Sequence, residues 1–208
     1  GDAMPVLHIG VLGGTFDPIH LGHLGAAEAV RAARSLDLVV FVPTGRPWHR
    51  GEAPQASAED RLAMVEAALA DRPEFVVSRV DVDRDGPTYT VDTLRDLRRW
   101  FSGAYPQARA DWTLITGADA LMQMHEWRAP QEIAQVAHIV GVTRPGHAIG
   151  TPLGLPTGSW SRVEIPGIDV SATEVRRRVA RGEAIADLVP APVARYIAEH
   201  GLYRGVAG

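Results

Sequence analysis

Cysteine is absent from the chain. That excludes disulfides, thiolate metal sites and cysteine nucleophiles, and it fits a reducing compartment such as the cytoplasm. No apolar run is long enough to span a bilayer, and no stretch has the layout of a signal peptide. Positive charge is not in excess. Lys plus Arg number 21 against 25 Asp plus Glu, a net charge of −4, so neither nucleic acid nor a membrane surface is expected as a partner. The GxGxxG dinucleotide fingerprint is missing where it would be sought, so hydride chemistry loses its usual support. No internal repeat or low-complexity tail is present.

What remains is an ordinary globular composition. The 208 residues are 46% hydrophobic and 22% charged, enough for one domain with a real core. That domain is expected over residues 4–208. The first three residues precede Met4 and are expected to be an added tail outside the fold.

Short apolar runs at 7–12, 38–43, 75–82, 112–116, 138–143 and 162–166 have strand lengths and β-branched content. Helical patterns lie between them, at about 20–34, 57–70, 90–101, 118–125, 130–136 and 173–181. Ser57 and Asp60 spell a capping-box pattern. A last helix follows Pro192 and stops at Gly201. Residues 145–161, rich in Gly, Pro and Ser, are expected to be one long surface loop. The alternation implies an α/β fold with a mainly parallel sheet covered by helices on both faces.

Residues 13–23, GGTFDPIHLGH, sit where the first strand should pass into the first helix. Ligands of open parallel sheets sit beyond the carboxyl ends of the strands. Gly13 and Gly14 let backbone approach a ligand closely. Thr15 offers a hydroxyl, and the helix start offers N–H groups and a positive dipole end. His20 and His23, three apart, project from one face of the first turn. Together they form a phosphate cradle with donors for charge on a reacting phosphorus. A helical histidine pair could also bind metal, but no carboxylate or thiolate set stands out to complete such a site. Downstream, DVSATEVRRR (169–178) starts another helix. Ser171 and Thr173 can cap it, and Arg176 is placed to fork onto phosphate oxygens.

The first stretch resembles the signature of the nucleotidylyltransferase superfamily, whose (H/T)xGH motif reads here His20-Leu21-Gly22-His23. The second resembles its ISSTxxR motif, with Ser171, Thr173 and Arg176 in place and Val170 and Ala172 departing from the commonest spelling. Over about 7–204 the chain looks most like the nicotinate-nucleotide adenylyltransferase family. GPTYTVDTL (86–94) resembles that family's SYTxxTL element, ITGADALMQMHEWR (115–128) its IGxDxLxxxxxW element, VTRPG (142–146) its RxG loop and PTGRPWHR (43–50) its PxxxPWxK loop.

The resemblance implies a Rossmann-like nucleotidylyltransferase fold and transfer of adenylyl from ATP to nicotinate mononucleotide. ATP would be held by Gly13, Gly14, Thr15, His20, His23, Ser171, Thr173 and Arg176, with His20, His23 and Arg176 catalytic. The mononucleotide would be held by Arg50, Tyr89, Thr90, Gly117, Asp119, Trp127, Arg128 and Arg144. Arg50 stands where lysine is usual, and Arg128 where some members have tyrosine. Mg²⁺ is expected to arrive on the triphosphate, with no dedicated protein metal site. A homo-oligomer, dual acid and amide specificity, pantetheine-phosphate chemistry and a non-catalytic nucleotide sensor remain alternatives.

Overall fold

In the computed structural model the described residues are 4–47, 53–147, 150–167 and 170–205. The elements run β1 (Val6–Gly14), α1 (Leu21–Arg34), β2 (Leu38–Pro43), α2 (Ala58–Leu69), β3 (Phe75–Val77), α3 (Val80–Asp83), α4 (Thr90–Ala104), β4 (Arg109–Gly117) and α5 (Ala118–Met122). After a 3₁₀ turn at Met124–Glu126 come α6 (Pro130–Val136), β5 (Ala137–Thr143), β6 (Trp160–Glu164), α7 (Ala172–Ala180) and α8 (Ala191–His200).

The six strands pair parallel throughout, in the order β3-β2-β1-β4-β5-β6. Strand β2 shows why both faces are covered. Successive side chains point to opposite faces, and all of them here are apolar. Val39 and Phe41 join a core with Leu24, Ala27 and Val30 of α1, Val175 of α7 and Ile197 of α8. Val40 and Val42 join a second core with Leu94, Leu97 and Phe101 of α4 and Ile133 of α6. Each such side chain contributes about 1.5–3 kcal/mol on burial, so a strand apolar on one face only could not hold both layers. Strand β1 narrows at Gly10 because Leu36 packs onto its backbone, and a Cβ there would lie 2.7 Å from Leu36 Cδ1.

Three expectations need correction. The apolar run at 75–82 is strand only to Val77. The chain then turns at Ser78, whose hydroxyl accepts the Val80 N–H at 3.3 Å. Helix α3 follows, which lets the buried Asp81 carboxylate reach Arg84 Nη1 at 2.7 Å and the Thr93 hydroxyl at 2.7 Å. Ser57 does cap α2, accepting the Asp60 N–H at 3.0 Å, but the Asp60 carboxylate accepts from the Tyr196 hydroxyl of α8 at 2.6 Å, tying two helices rather than closing a capping box. The expected helix at 118–125 divides into α5 and the 3₁₀ turn.

The strand order reverses between β1 and β4, the switch point at which open sheets of this kind bind ligands beyond their carboxyl ends. The strands end there at Gly14 and Gly117.

Candidate active site

Helix α1 starts on a histidine, an unusual cap. His20 sits in extended backbone at the N-cap, and its Nδ1 accepts the Gly22 N–H at 3.1 Å. Reciprocally, His23 Nδ1 accepts the His20 N–H at 3.1 Å. A backbone N–H can only donate, so both Nδ1 atoms are unprotonated and each neutral ring carries its proton on Nε2. The rings stack with centroids 3.7 Å apart, and Phe16 meets His23 edge-on at 4.8 Å. Burial lowers the His20 pKa to about 4. His23 is also held well below the ordinary value, first by burial and then by the charge His20 would carry. Near neutral pH the pair therefore presents two neutral Nε2–H donors and no cation. Gly22 makes this possible, because a Cβ there would lie 2.9 Å from His20 Cε1.

Helix α7 supplies the facing side. Ser171 is its N-cap and accepts the Glu174 N–H at 3.1 Å. Thr173 Oγ1 accepts from Arg176 Nη2 at 3.3 Å. Arg176 Nη1 donates to the main-chain oxygen of Asp17 at 2.8 Å and lies 4.0 Å from its carboxylate. Thr15, Asp17, His23, Gln55 and Arg176 line a cavity of about 320 Å³.

A larger cavity of about 530 Å³ opens at the carboxyl ends of β1 and β4. Its wall includes Gly13, Gly14, Thr15, Thr44, Thr88, Thr90, Thr116 and Trp127. Thr15 belongs to both walls, so the two cavities adjoin there. The expected site residues therefore separate. Gly13, Gly14, Thr15, Thr90 and Trp127 face the larger space, and Thr15, His23 and Arg176 the smaller. His20 stacks against His23 rather than lining either. Ser171 and Thr173 serve helix α7 and its arginine. Tyr89, Gly117, Asp119, Arg128 and Arg144 lie off the larger cavity's wall. Arg128 is exposed, with its guanidinium 4.6 Å from the Tyr89 ring centroid, a distance suited to cation–π attraction. Arg50, with Trp48 and His49, lies outside the described residues.

Sequence reasoning missed the framework behind these walls. Every one of the 21 basic residues is arginine, and Arg61 is only 1% exposed. Its guanidinium donates to four carbonyls, those of Thr15 (2.8 Å), Thr44 (2.6 Å), Gly45 (3.3 Å) and Ala56 (3.2 Å). Burial lowers its pKa, and the nearby Asp17 charge opposes that. Asp17 is itself pinned by the N–H groups of Gln55 (2.8 Å) and Ala56 (3.1 Å) and by the Tyr203 hydroxyl (2.7 Å). Burial and this carboxylate together push the Tyr203 phenol up. One signal was available for Arg61. It falls on the buried stripe of α2 with Val65 and Ala68, four and seven residues on, where a helix facing a core should be apolar.

A parallel sheet with this strand order, a histidine-capped first helix and an arginine-bearing helix across from it define a protein of the nucleotidylyltransferase class. In agreement, the Cytidylyltransferase-like family matches residues 11–178. A "Probable nicotinate-nucleotide adenylyltransferase" of Streptomyces coelicolor is 53% identical over 194 residues, covering 93% of this chain and 100% of that one. A protein of the same name from Acidothermus cellulolyticus is 51% identical over 200 residues, covering 96% of each. The chain belongs to the nicotinate-nucleotide adenylyltransferase family. A solved Plasmodium falciparum nicotinic acid mononucleotide adenylyltransferase, complexed with NaAD, has the same fold, with a TM-score of 0.74 at 16% identity over 97% of this chain and 100% of that one. No helix among the described residues is long and apolar enough to cross a membrane.

Proposed function

We propose that the protein transfers the adenylyl group of ATP to nicotinate mononucleotide, giving nicotinate adenine dinucleotide and pyrophosphate, a step of NAD biosynthesis in the cytoplasm. The observation that carries this reading is the pair of cavities adjoining at Thr15, one lined by His23 and Arg176 and the other opening at the switch point.

The nucleophile is a phosphate oxygen of the mononucleotide. Its second pKa is near ~6, so it is largely dianionic at neutral pH and needs no general base. It forms a bond to the α-phosphorus of ATP while the bond from that phosphorus to the bridging oxygen breaks, and the electron pair leaves with pyrophosphate. A His20 pKa of about 4 suits a donor and not a base near pH 7. The Nε2–H groups of His20 and His23, the Thr15 hydroxyl and Arg176 stabilise charge on the triphosphate, while the cavity walls align the two substrates. Among the described residues no group of three or more His, Asp or Glu could hold a metal ion. The Asp17 carboxylate is already engaged by Gln55, Ala56 and Tyr203. Mg²⁺ would arrive with the ATP substrate and supply neutralisation of its phosphate charge.

In the larger cavity Thr90 and Trp127 flank the pyridine ring, and the stacked Arg128 and Tyr89 stand outside its wall. A carboxylate only accepts hydrogen bonds, whereas a carboxamide must also place two donors. Backbone N–H groups around Tyr89-Thr90 and the Arg128 charge then favour the acid. The test is pyrophosphate release with ATP and, in turn, nicotinate mononucleotide, nicotinamide mononucleotide and phosphopantetheine. The highest kcat/KM is expected for nicotinate mononucleotide, with a smaller preference over the amide in Arg128→Ala. Equal values for acid and amide in the wild type would replace this reading with dual specificity. Pyrophosphate release with none of the three would leave a nucleotide sensor.

A further inference from the structure

Arg61 lines neither cavity, yet among the described residues it is the largest side chain less than 2% exposed. Burying a guanidinium is expensive unless its hydrogen bonds are met, and here they are met entirely by backbone. Nη1 holds Thr15 O at 2.8 Å and Thr44 O at 2.6 Å, Nη2 holds Gly45 O at 3.3 Å and Nε holds Ala56 O at 3.2 Å. These carbonyls come from the loops that leave β1 and β2 and from the segment entering α2. No other described contact gathers the three.

In a trans peptide the C=O and N–H point in opposite directions. Drawing Thr15 O and Gly45 O onto Arg61 therefore turns the N–H groups of Phe16 and Arg46 away from it. Thr15 lines both cavities and Thr44 the larger. The second loop has little slack, since a Cβ at Gly45 would lie 2.3 Å from the Asp81 carbonyl oxygen, and the Gly45 N–H is bound to Thr88 Oγ1 at 3.2 Å.

We propose that Arg61 is a positioning residue for adenylyl transfer: its guanidinium fixes the rotation of the loops after β1 and β2, so that their backbone donors and the Thr15 hydroxyl meet the substrate phosphates in line. This rests on the adenylyl-transfer reading above. A planar fork reaches four divergent carbonyls, which a lysine ammonium with three donors cannot do.

The experiment compares wild type, Arg61→Lys and Arg61→Met in steady-state pyrophosphate release with ATP and nicotinate mononucleotide. It is run at a temperature where circular dichroism shows each protein folded. Arg61→Lys is expected to stay folded with a lower Tm, with kcat down about tenfold or more and a raised KM for the mononucleotide, because a ~1 Å misplacement can cost about a hundredfold. Arg61→Met, if folded, should be slower still, so that lysine is a partial rescue. A merely structural arginine would lower Tm and leave kcat and both KM values of the folded enzyme unchanged. That result in Arg61→Lys overturns the proposal, whether or not Arg61→Met folds. A wild type that releases no pyrophosphate overturns the adenylyl-transfer reading instead.

Discussion

Replacing His20 by asparagine should remove a specific part of the protein's acid sensitivity. In the folded chain burial lowers the His20 pKa from 6.5 to about 4. Above pH 6.5 the ring is neutral whether the chain is folded or unfolded, and no penalty arises. As the pH falls below 6.5 the unfolded chain takes up the proton first, so stability drops, and the loss levels off once the pH passes below the folded value. At about pH 4.5 the difference in proton binding amounts to about 2.5 kcal/mol. Asparagine is a preferred N-cap, so it can take over the Gly22 N–H and hold stability near pH 7 to within about 1 kcal/mol of wild type. His23 remains in both proteins and largely cancels, although losing its stacked neighbour relieves the part of its lowering that His20 causes. Urea titrations followed by circular dichroism, at about pH 7 and about pH 4.5, measure the gap. The variant should gain about 2.5 kcal/mol relative to wild type between these two conditions. Parallel pH profiles for the two proteins, with equal m-values, would refute both the burial argument and the assignment of His20 as a neutral donor.

Three further outcomes follow from the same geometry. His23→Ala should lower kcat by about a hundredfold or more, the scale of losing one donor to a developing negative charge, and turnover like that of the wild type would remove the histidine pair from the mechanism. Gly22→Ala should displace the His20 ring, which lies 2.9 Å from the new Cβ, and so cut kcat while leaving the KM for the mononucleotide near wild type. Arg176→Ala should chiefly raise the KM for ATP, as loss of a charge-assisted fork does. Collapse of mononucleotide binding with ATP binding intact would show the two subsites to be reversed.

Where the chain was legible, the signal was local. Residues 38–43 are all apolar and β2 occupies those same positions, because the side chains from Leu38 to Val42 alternate between the two cores. The strand-to-helix junction at 13–23 was legible because glycine, a threonine and paired histidines have few reasons to meet there. The run at 75–82 misled because Val76, Val80 and Val82 alternate like a strand, while the buried Asp81 between them needs partners on α4 that only tertiary structure supplies. The histidine pair was read for its chemistry alone. Its second task, closing the start of α1, was hidden because histidine is rare at that position. Asp17 and Tyr203 lie 186 residues apart, and no periodicity links them. Arg61 broke an apolar stripe, a visible irregularity whose meaning depends on carbonyls from the loop after β1 and from both ends of the connection between β2 and α2.

The bond between Tyr203 and Asp17 also has a consequence for the order in which the molecule is completed. All six strands lie between Val6 and Glu164, whereas Arg176 and Tyr203, which grip Asp17, come after them. A chain emerging from the ribosome can pair its whole sheet before the cradle proposed for the triphosphate is complete. On that proposal ATP favours the native state only after α7, α8 and the turn beyond them have docked, since a ligand stabilises only the forms that bind it. Occupancy of the proposed nucleotide site would thus report that synthesis has run past α7 and α8.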